Sequence, residues 1–559
     1  MSTGADWLLE ALAAEGVRHL IGNPGSTELP ITEAAGRQRR VGYVLALHEA
    51  SVMGIADGYA QASGGLAVVN VHVQPGLANA MSGILNAARA RVPLLVTVGQ
   101  QVQDLLPQEP FLGGELVELS RPLAKGAWEV TRAEDLPRLL ALAVRTAREQ
   151  PSGPVVLSLP LDVQVAPAPP PHAPASPAPP APPDAASLAR AAELLGAARA
   201  PAVLAGDAVA RSGASAQLAA VAERLGAPIL GEPMPATVPL PTDHPLWRGP
   251  LPAFAAEIAP LLAPHDAVLA VGMPVFRLFG VSSGSALPPG TALVHLEVDP
   301  HEVGKVHVPA VGLVGDLGHG LAGLLERLGP APADARERRD RAVAEVAAAR
   351  AAARARVEAA AQGEGVGPAA FARAIAEVVG LDDLVVDESL TAGRGLRAVI
   401  GPRTPATWLA HRGSALGWGL PAAVGAALAD PGRRVMALQG DGGFVFGAPA
   451  LWTAAHEDLP LALVVADNGG YEILRAGLEG MTGRPEGDWP GLALREPRLD
   501  VASICRGFGA TAARADRSSD LPEALRDLWR RSREGPAALV VGVTGRTGPV
   551  GYPIPGAAG

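Results

Sequence analysis

The chain has 559 residues, a formal net charge of −10, 48% hydrophobic residues and a single cysteine. That length is too great for one hydrophobic core and predicts about three domains. An acidic balance without a basic block excludes a nucleic-acid partner, and one cysteine excludes an internal disulfide framework.

The N-terminal MSTGADWLLEALAAEGV reads as an amphipathic helix with acidic residues and no basic n-region, so it is not a secretory signal. The most apolar stretch, LGWGLPAAVGAALA, is short for a membrane span and holds a proline. These features predict a soluble cytoplasmic protein with no membrane partner. Residues 1–166 carry the apolar runs RHLIG, YVLAL, LAVVNVHV, PLLVTVG and PVVLSLP, most of them separated by helical stretches. This alternation predicts a parallel sheet covered on both faces. Within it, Asn23, Pro24 and Gly25 form a turn, and Ser26 follows as a helix N-cap or a ligand contact. Strand YVLAL runs into His48-Glu49. A carboxylate there is either a helix-start acid or a ligand contact at the carboxyl end of a buried strand. His72 interrupts an apolar strand near its end, as a hydrogen-bonded core group or a functional one.

Residues 167–183 are proline-rich and predict an extended linker. Residues 184–330 repeat the α/β rhythm with PAVLAG, APIL, DAVLAVG and TALVHLEV. Gly280-Val281-Ser282-Ser283-Gly284 fits a hydrolase nucleophile motif. The two prolines after it block the helix that motif requires. Residues 331–365 hold a long Ala/Arg/Glu stretch of strong helix formers, predicted as a surface helix joining domains. Residues 366–545 form a third α/β block with LVVDES, RRVMALQ, LALVVAD and AALVVGV, and 546–559 form a turn-rich tail. Cys505, in VASICRGFG, is expected as core filler at a helix end.

The third block contains the most informative spacing. Gly440-Asp441-Gly442-Gly443 follows one apolar run, and Asn468-Gly469-Gly470-Tyr471 follows the next. The pattern predicts a strand–loop–helix–strand unit that brings a carboxylate and a carboxamide to one edge of a parallel sheet. Glycines admit close backbone approach, and a helix N-terminus favours phosphate. One carboxylate, one amide oxygen, one carbonyl and a diphosphate together suit Mg²⁺.

This unit resembles the diphosphate-anchoring motif of thiamine-diphosphate-dependent enzymes. GNPGSTELP, HEASVMGIADGYAQASG, the His72 segment, AERLGAPIL, PVFR and LGWGLPAAVGAAL stand in the order seen in the decarboxylase and carboligase group of that family, its benzoylformate-decarboxylating branch above all. The resemblance spans nearly the whole chain. It implies an α/β fold of three doubly wound parallel-sheet domains: pyrimidine-binding, central and diphosphate-binding. It implies a thiamine-diphosphate-dependent lyase, a 2-oxo acid decarboxylase, a carboligase taking an aldehyde acceptor, or both.

By resemblance, Glu49 contacts the cofactor's pyrimidine ring, Leu416 stands under the bent cofactor, and the Ser414 carbonyl accepts from its amino group. Asn23, Pro24, Gly25, Thr391, Gly440, Gly442, Gly443 and Tyr471 line the cofactor. Asp441, Asn468 and the Gly470 carbonyl bind Mg²⁺. Ser26 takes the substrate carboxylate and His72 relays protons. In this family the pyrimidine-side and metal-side residues of one site come from different subunits, which implies a homodimer or homotetramer. The substrate side departs from the branch: Phe279 replaces a second catalytic histidine, Ala410 and Gly477 replace bulky groups, and His411 and Arg412 are polar additions. The alternative is an acetolactate-synthase-like carboligase with FAD in the central block. A non-catalytic scaffold is opposed by retention of Glu49, Asp441 and Asn468 together.

Overall fold

The computed structural model describes residues 2–170, 173–174, 178–280, 284–331, 334–484 and 489–544. Three six-stranded sheets organise them. The first contains β1 (His19–Asn23), β2 (Gly42–Leu45), β3 (Ala67–Val71), β4 (Leu94–Gln100), β5 (Gly126–Glu129) and β6 (Pro154–Pro160), in the order β2-β1-β3-β4-β6-β5. The second contains β7 (Pro201–Ala205), β8 (Ile229–Gly231), β9 (Trp247–Pro250), β10 (Ala267–Val271), β11 (Ala292–Glu297) and β12 (Val311–Val314), in the order β12-β11-β10-β7-β8-β9. The third contains β13 (Leu384–Glu388), β14 (Trp408–Ala410), β15 (Val435–Gly440), β16 (Leu461–Asp467), β17 (Thr511–Ala515) and β18 (Ala537–Gly542), in the order β14-β13-β15-β16-β18-β17.

All these pairings are parallel. The apolar runs that predicted strands form the sheet interiors. β4, β6 and β16 are buried along their whole length, as two covered faces require. The first and third sheets share one order, which matches their shared rhythm in sequence. The second is wound differently: β7 and β10 are neighbours, and the strand order reverses between them.

The first and third sheets are joined through two helices, Glu49–Ser63 and Gly419–Ala429. Their backbones touch. A Cβ on Gly58 would lie 2.0 Å from the Ala422 carbonyl oxygen, and one on Gly425 would lie 1.9 Å from that of Ile55. Only glycine fits at either place. Apolar residues of both sheets therefore form one continuous core, from Ile21 and Val69 through Ile55, Val424 and Leu463. The Thr453 hydroxyl donates to the Leu45 carbonyl across the same junction, at 2.9 Å.

The proline-rich segment is tied at both ends. Trp7 Nε1 donates to the Pro170 carbonyl at 3.1 Å, and Asp316 N to that of Ala181 at 2.9 Å. The predicted joining helix is present as Ala335–Ala360. Cys505 is fully buried near the end of helix Val501–Gly507, and burial pushes its thiol up to about 12. No helix among the described residues is long and apolar enough to cross a membrane. Val281, Ser282 and Ser283 of the hydrolase-like motif, and the 546–559 tail, lie outside the described residues.

Candidate active site

β15 ends at Gly440, and the chain turns directly into a short helix, Asp441–Gly447. The sequence predicted a loop here. Asp441 is instead the first helical residue, where the helix dipole favours a carboxylate. Its Oδ1 accepts from Gly442 N at 2.9 Å, and its Oδ2 from Gly469 N at 2.7 Å and Gly470 N at 3.1 Å. Those last two amides follow β16, so Asp441 bridges the ends of adjacent strands. Asn468, the first residue after β16, accepts from Gly470 N through Oδ1 at 3.1 Å. Burial raises the Asp441 pKa from its ordinary value, and nearby Asp467 adds repulsion.

The surrounding glycines are placed differently from one another. A Cβ on Gly442 would lie 2.6 Å from the Tyr471 ring, so the ring packs on bare backbone. A Cβ on Gly440 would meet nothing within 4 Å, which leaves open space beside the Asp441 helix N-terminus. Thr391 is half-buried in the loop after β13.

Ser414 and Leu416 lie on the segment between β14 and helix Gly419–Ala429. Ser414 has a left-handed backbone, φ 78°. Leu416 is 37% exposed on an otherwise anchored segment. Glu388, at the end of β13, is buried and accepts from Gly417 N and Gly419 N, both at 2.8 Å. With the Gln439 amide oriented to donate, its nitrogen reaches Glu388 Oε2 at 3.0 Å. Asn86, on helix Val73–Ala90, clasps Ala415: Nδ2 donates to its carbonyl at 2.9 Å, and Oδ1 accepts from its N–H at 3.1 Å. Sequence reasoning missed both residues.

Glu49 is the first residue of helix Glu49–Ser63 and is 7% exposed. Asn23 Nδ2 donates to its Oε1 at 3.1 Å, and Asn79 Nδ2 to its Oε2 at 2.9 Å. Asn23 therefore touches Glu49 directly. Pro24 and Gly25 make the adjoining turn, and Ser26 follows, exposed. His72 lies against this turn: a Cβ on Gly25 would fall 2.1 Å from His72 Nδ1. His72 Nδ1 is 2.8 Å from Glu28 Oε2 and 3.1 Å from Thr27 Oγ1. Glu28 is fully buried and also accepts from Gly25 N at 2.9 Å and from Thr27 Oγ1 at 2.7 Å. This buried carboxylate behind His72 went unread. Its one local signal is its place three residues after Gly25, where an acid reaches back to cap the turn.

On the substrate side, Phe279 is 48% exposed and meets Phe254 edge to face, with centroids 6.1 Å apart. Ala410 closes β14 and is buried. Gly477 is buried in helix Glu472–Thr482. His411 Nε2 is 2.9 Å from the Ala415 carbonyl, and burial lowers its pKa. Arg412 is buried in ion pairs with Asp207 and with Glu232, the latter through bonds of 2.7 and 2.6 Å.

Within one chain these residues form two separate clusters, Glu49 with Asn23 and Asn79, and Asp441 with Gly442, Gly469 and Gly470. Among the described residues no three His, Cys, Asp or Glu side chains gather as a metal site. The Asp441–Asn468–Gly470 set offers one charge and neutral oxygens. That chemistry fits a Mg²⁺ completed by phosphate oxygens, and the open space at Gly440 fits the phosphate.

Comparison with known proteins places the chain in a family. The thiamine pyrophosphate enzyme models for the N-terminal TPP binding domain, the central domain and the C-terminal TPP binding domain match residues 2–114, 188–324 and 394–541. Benzoylformate decarboxylase of Pseudomonas aeruginosa is 36% identical over 528 residues, covering 94% of this chain and 96% of that protein. The acetolactate synthase large subunit of Corynebacterium glutamicum is 27% identical over 540 residues, covering 94% and 84%. The structure of a thiamine-diphosphate-dependent 4-hydroxybenzoylformate decarboxylase from Rhodococcus jostii superposes with a TM-score of 0.84 at 30% identity, covering 97% of this chain and 99% of that one.

Proposed function

From the premise that the chain belongs to the thiamine pyrophosphate enzyme family and is a thiamine-diphosphate-dependent lyase, we propose that it decarboxylates 2-oxo acids, with carboligation as an alternative fate of the same chemistry. The observation that carries this reading is the convergence of Asp441 and Asn468 on the Gly470 N–H at the ends of adjacent strands. Asp441 Oδ, Asn468 Oδ1 and the Gly470 carbonyl would hold Mg²⁺. Gly440, Gly442, Gly443 and Thr391 would cradle the diphosphate, Tyr471 packing behind Gly442. When bound, thiamine diphosphate supplies the nucleophile and the electron sink for the reaction.

Glu49 is held at both oxygens by Asn23 and Asn79, so it would face the pyrimidine ring of a bound cofactor in one fixed orientation, placed for general acid–base help there. Leu416 would support the cofactor and the Ser414 carbonyl would accept from its amino group. The exposed Ser26 hydroxyl donates to the substrate carboxylate. Glu28 holds the Nδ1 proton of His72, which leaves Nε2 to take or deliver a proton. The two clusters complete each other across two copies of the chain, as a homodimer or homotetramer. Exposed apolar residues near the metal-side cluster, Val445, Phe446 (57%) and Leu474, support a covering partner.

The substrate wall differs from that of a benzoylformate decarboxylase: Phe279 presents an apolar ring, and small residues stand at Ala410 and Gly477. The acetolactate-synthase-like reading rests on relatives such as the C. glutamicum protein. At the strand reversal of the central sheet the Asp207 N–H, which starts a helix after β7, is already taken by buried Glu232, and both carboxylates are paired with Arg412, so a flavin diphosphate placed there would have to displace Glu232. Screening 2-oxo acids for CO₂ release, with thiamine diphosphate and Mg²⁺ and with or without an acceptor aldehyde, tests the assignment. No release from any 2-oxo acid would sink it.

A further inference from the structure

Leu416 is an apolar side chain standing in the open on a segment that should be free to collapse. The segment is instead fixed on both sides of it. On one side Asn86 uses both amide atoms on Ala415, and His411 shares the same carbonyl. On the other, the two oxygens of buried Glu388 each take one backbone N–H, from Gly417 and Gly419. Gly413 presses on Asn86 so closely that a Cβ there would lie 2.0 Å from Asn86 Oδ1. Ser414 and Gly417 both have positive φ, 78° and 85°. A non-glycine residue keeps that conformation only where its surroundings over-determine it.

We propose that Asn86 and Glu388 are positioning residues that hold the Leu416 segment in its cofactor-receiving shape before any ligand arrives. The proposal rests on the reading that Leu416 stands under the cofactor. Asn86 belongs to the first sheet's layer and Glu388 to the third sheet, so the support is built from both ends of the chain. Helix Val73–Ala90 also carries Asn79, the partner of Glu49. One helix therefore fixes a cofactor-facing carboxylate and, 329 residues away in sequence, the hydrophobic support. A pre-shaped segment spares binding the cost of ordering it.

Thiamine diphosphate affinity is measured by calorimetry with Mg²⁺ present, and amide hydrogen exchange at Ala415 and Gly417 in the cofactor-free protein. The proteins are wild type, Asn86→Ala, Asn86→Asp, Glu388→Gln and Thr453→Val. The last removes a hydrogen bond across the same junction without touching the segment. Asn86→Asp keeps the acceptor for Ala415 N–H and sets an oxygen against the Ala415 carbonyl, should Asn86→Ala fail to fold. The Asn86 and Glu388 variants should bind about ten-fold more weakly and exchange faster at Ala415 and Gly417, with Thr453→Val unchanged. Wild-type affinity in folded Asn86 and Glu388 variants would overturn the positioning role, as would equal losses in Thr453→Val. A wild type that binds no thiamine diphosphate would overturn the cofactor assignment itself, and this inference with it.

Discussion

Glu49→Gln keeps the side chain's size and removes its acid. The structure states what else changes. Glu49 accepts one amide hydrogen at each oxygen, from Asn23 at 3.1 Å and from Asn79 at 2.9 Å. In the variant one of those oxygens becomes an NH₂ group facing another donor. One part-buried hydrogen bond is lost unless an asparagine amide flips, a loss of roughly 1 kcal/mol. The catalytic loss should be larger. General acid–base help is worth about two to four decades, which at about 1.4 kcal/mol per decade is roughly 3–5 kcal/mol of barrier. The assay is NMR of hydrogen–deuterium exchange at C2 of bound thiamine diphosphate. A second variant, Glu49→Gln with Asn79→Asp, restores an acceptor opposite the new NH₂. It should recover stability but not exchange. Wild-type exchange in Glu49→Gln would leave Glu49 as a helix-start residue. Recovery of exchange in the double variant would show that a carboxyl at position 79 can stand in for the acid, so that its placement on Glu49 is not required.

Asp441→Ala removes the one charge of the proposed metal set, takes the acceptor from the Gly442 and Gly469 amides, and leaves the Gly470 amide to Asn468 alone. Cofactor affinity by calorimetry should fall more than about 100-fold, since even outer-shell partners are worth 10–100-fold; unchanged affinity refutes the metal assignment. Phe279→His restores an imidazole where this chain presents an apolar ring, and should raise the ratio of aldehyde to ligation product. A ratio that does not move, or benzoylformate as the best wild-type substrate, refutes this reading of the pocket. A pH test concerns Glu388, whose carboxyl burial pushes up to about 7 from 4.5. Between those values the folded chain keeps a proton that the unfolded chain has released. Wild-type stability should therefore fall relative to Glu388→Gln as pH rises from about 4.5 to 7, and level off above. Thermal midpoints of the cofactor-free proteins that move the other way would contradict it.

The apolar runs made thirteen of the eighteen strands visible in sequence. The five that escaped, β5, β9, β12, β14 and β17, all lie at sheet edges. An edge strand is covered on fewer sides, so it need not be apolar along its length. β17 reads TAARA and β9 reads WRGP, while β14 is only three residues long. The candidate site divides in the same way. Glu49, Asp441 and Asn468 were legible because each stands at a strand end inside a patterned local unit. Glu28, Asn79, Asn86 and Glu388 were not, because their partners are set by tertiary packing. Glu28 meets a histidine 44 residues away, and Glu388 receives amides 29 and 31 residues on. The partners of Arg412, in sequence only a polar addition on the substrate side, were hidden for the same reason: nothing local announces Asp207 and Glu232.

The glycine contact between helices Glu49–Ser63 and Gly419–Ala429 has a consequence for how the chain is made. About 350 residues separate the two helices. At roughly 5–20 residues per second of synthesis, the first helix waits on the order of 20–70 s for the surface it buries against. During that time Val52, Ile55 and Ala56 on the first helix, which have no exposure in the finished protein, lack part of their cover. The central third, whose β7–β12 sheet is built from consecutive strands around a core of its own, has no such wait. The nascent protein should therefore pass through a stage in which its middle is finished and its first third is sticky. That stage is where a holding chaperone, or a second nascent copy, would find it.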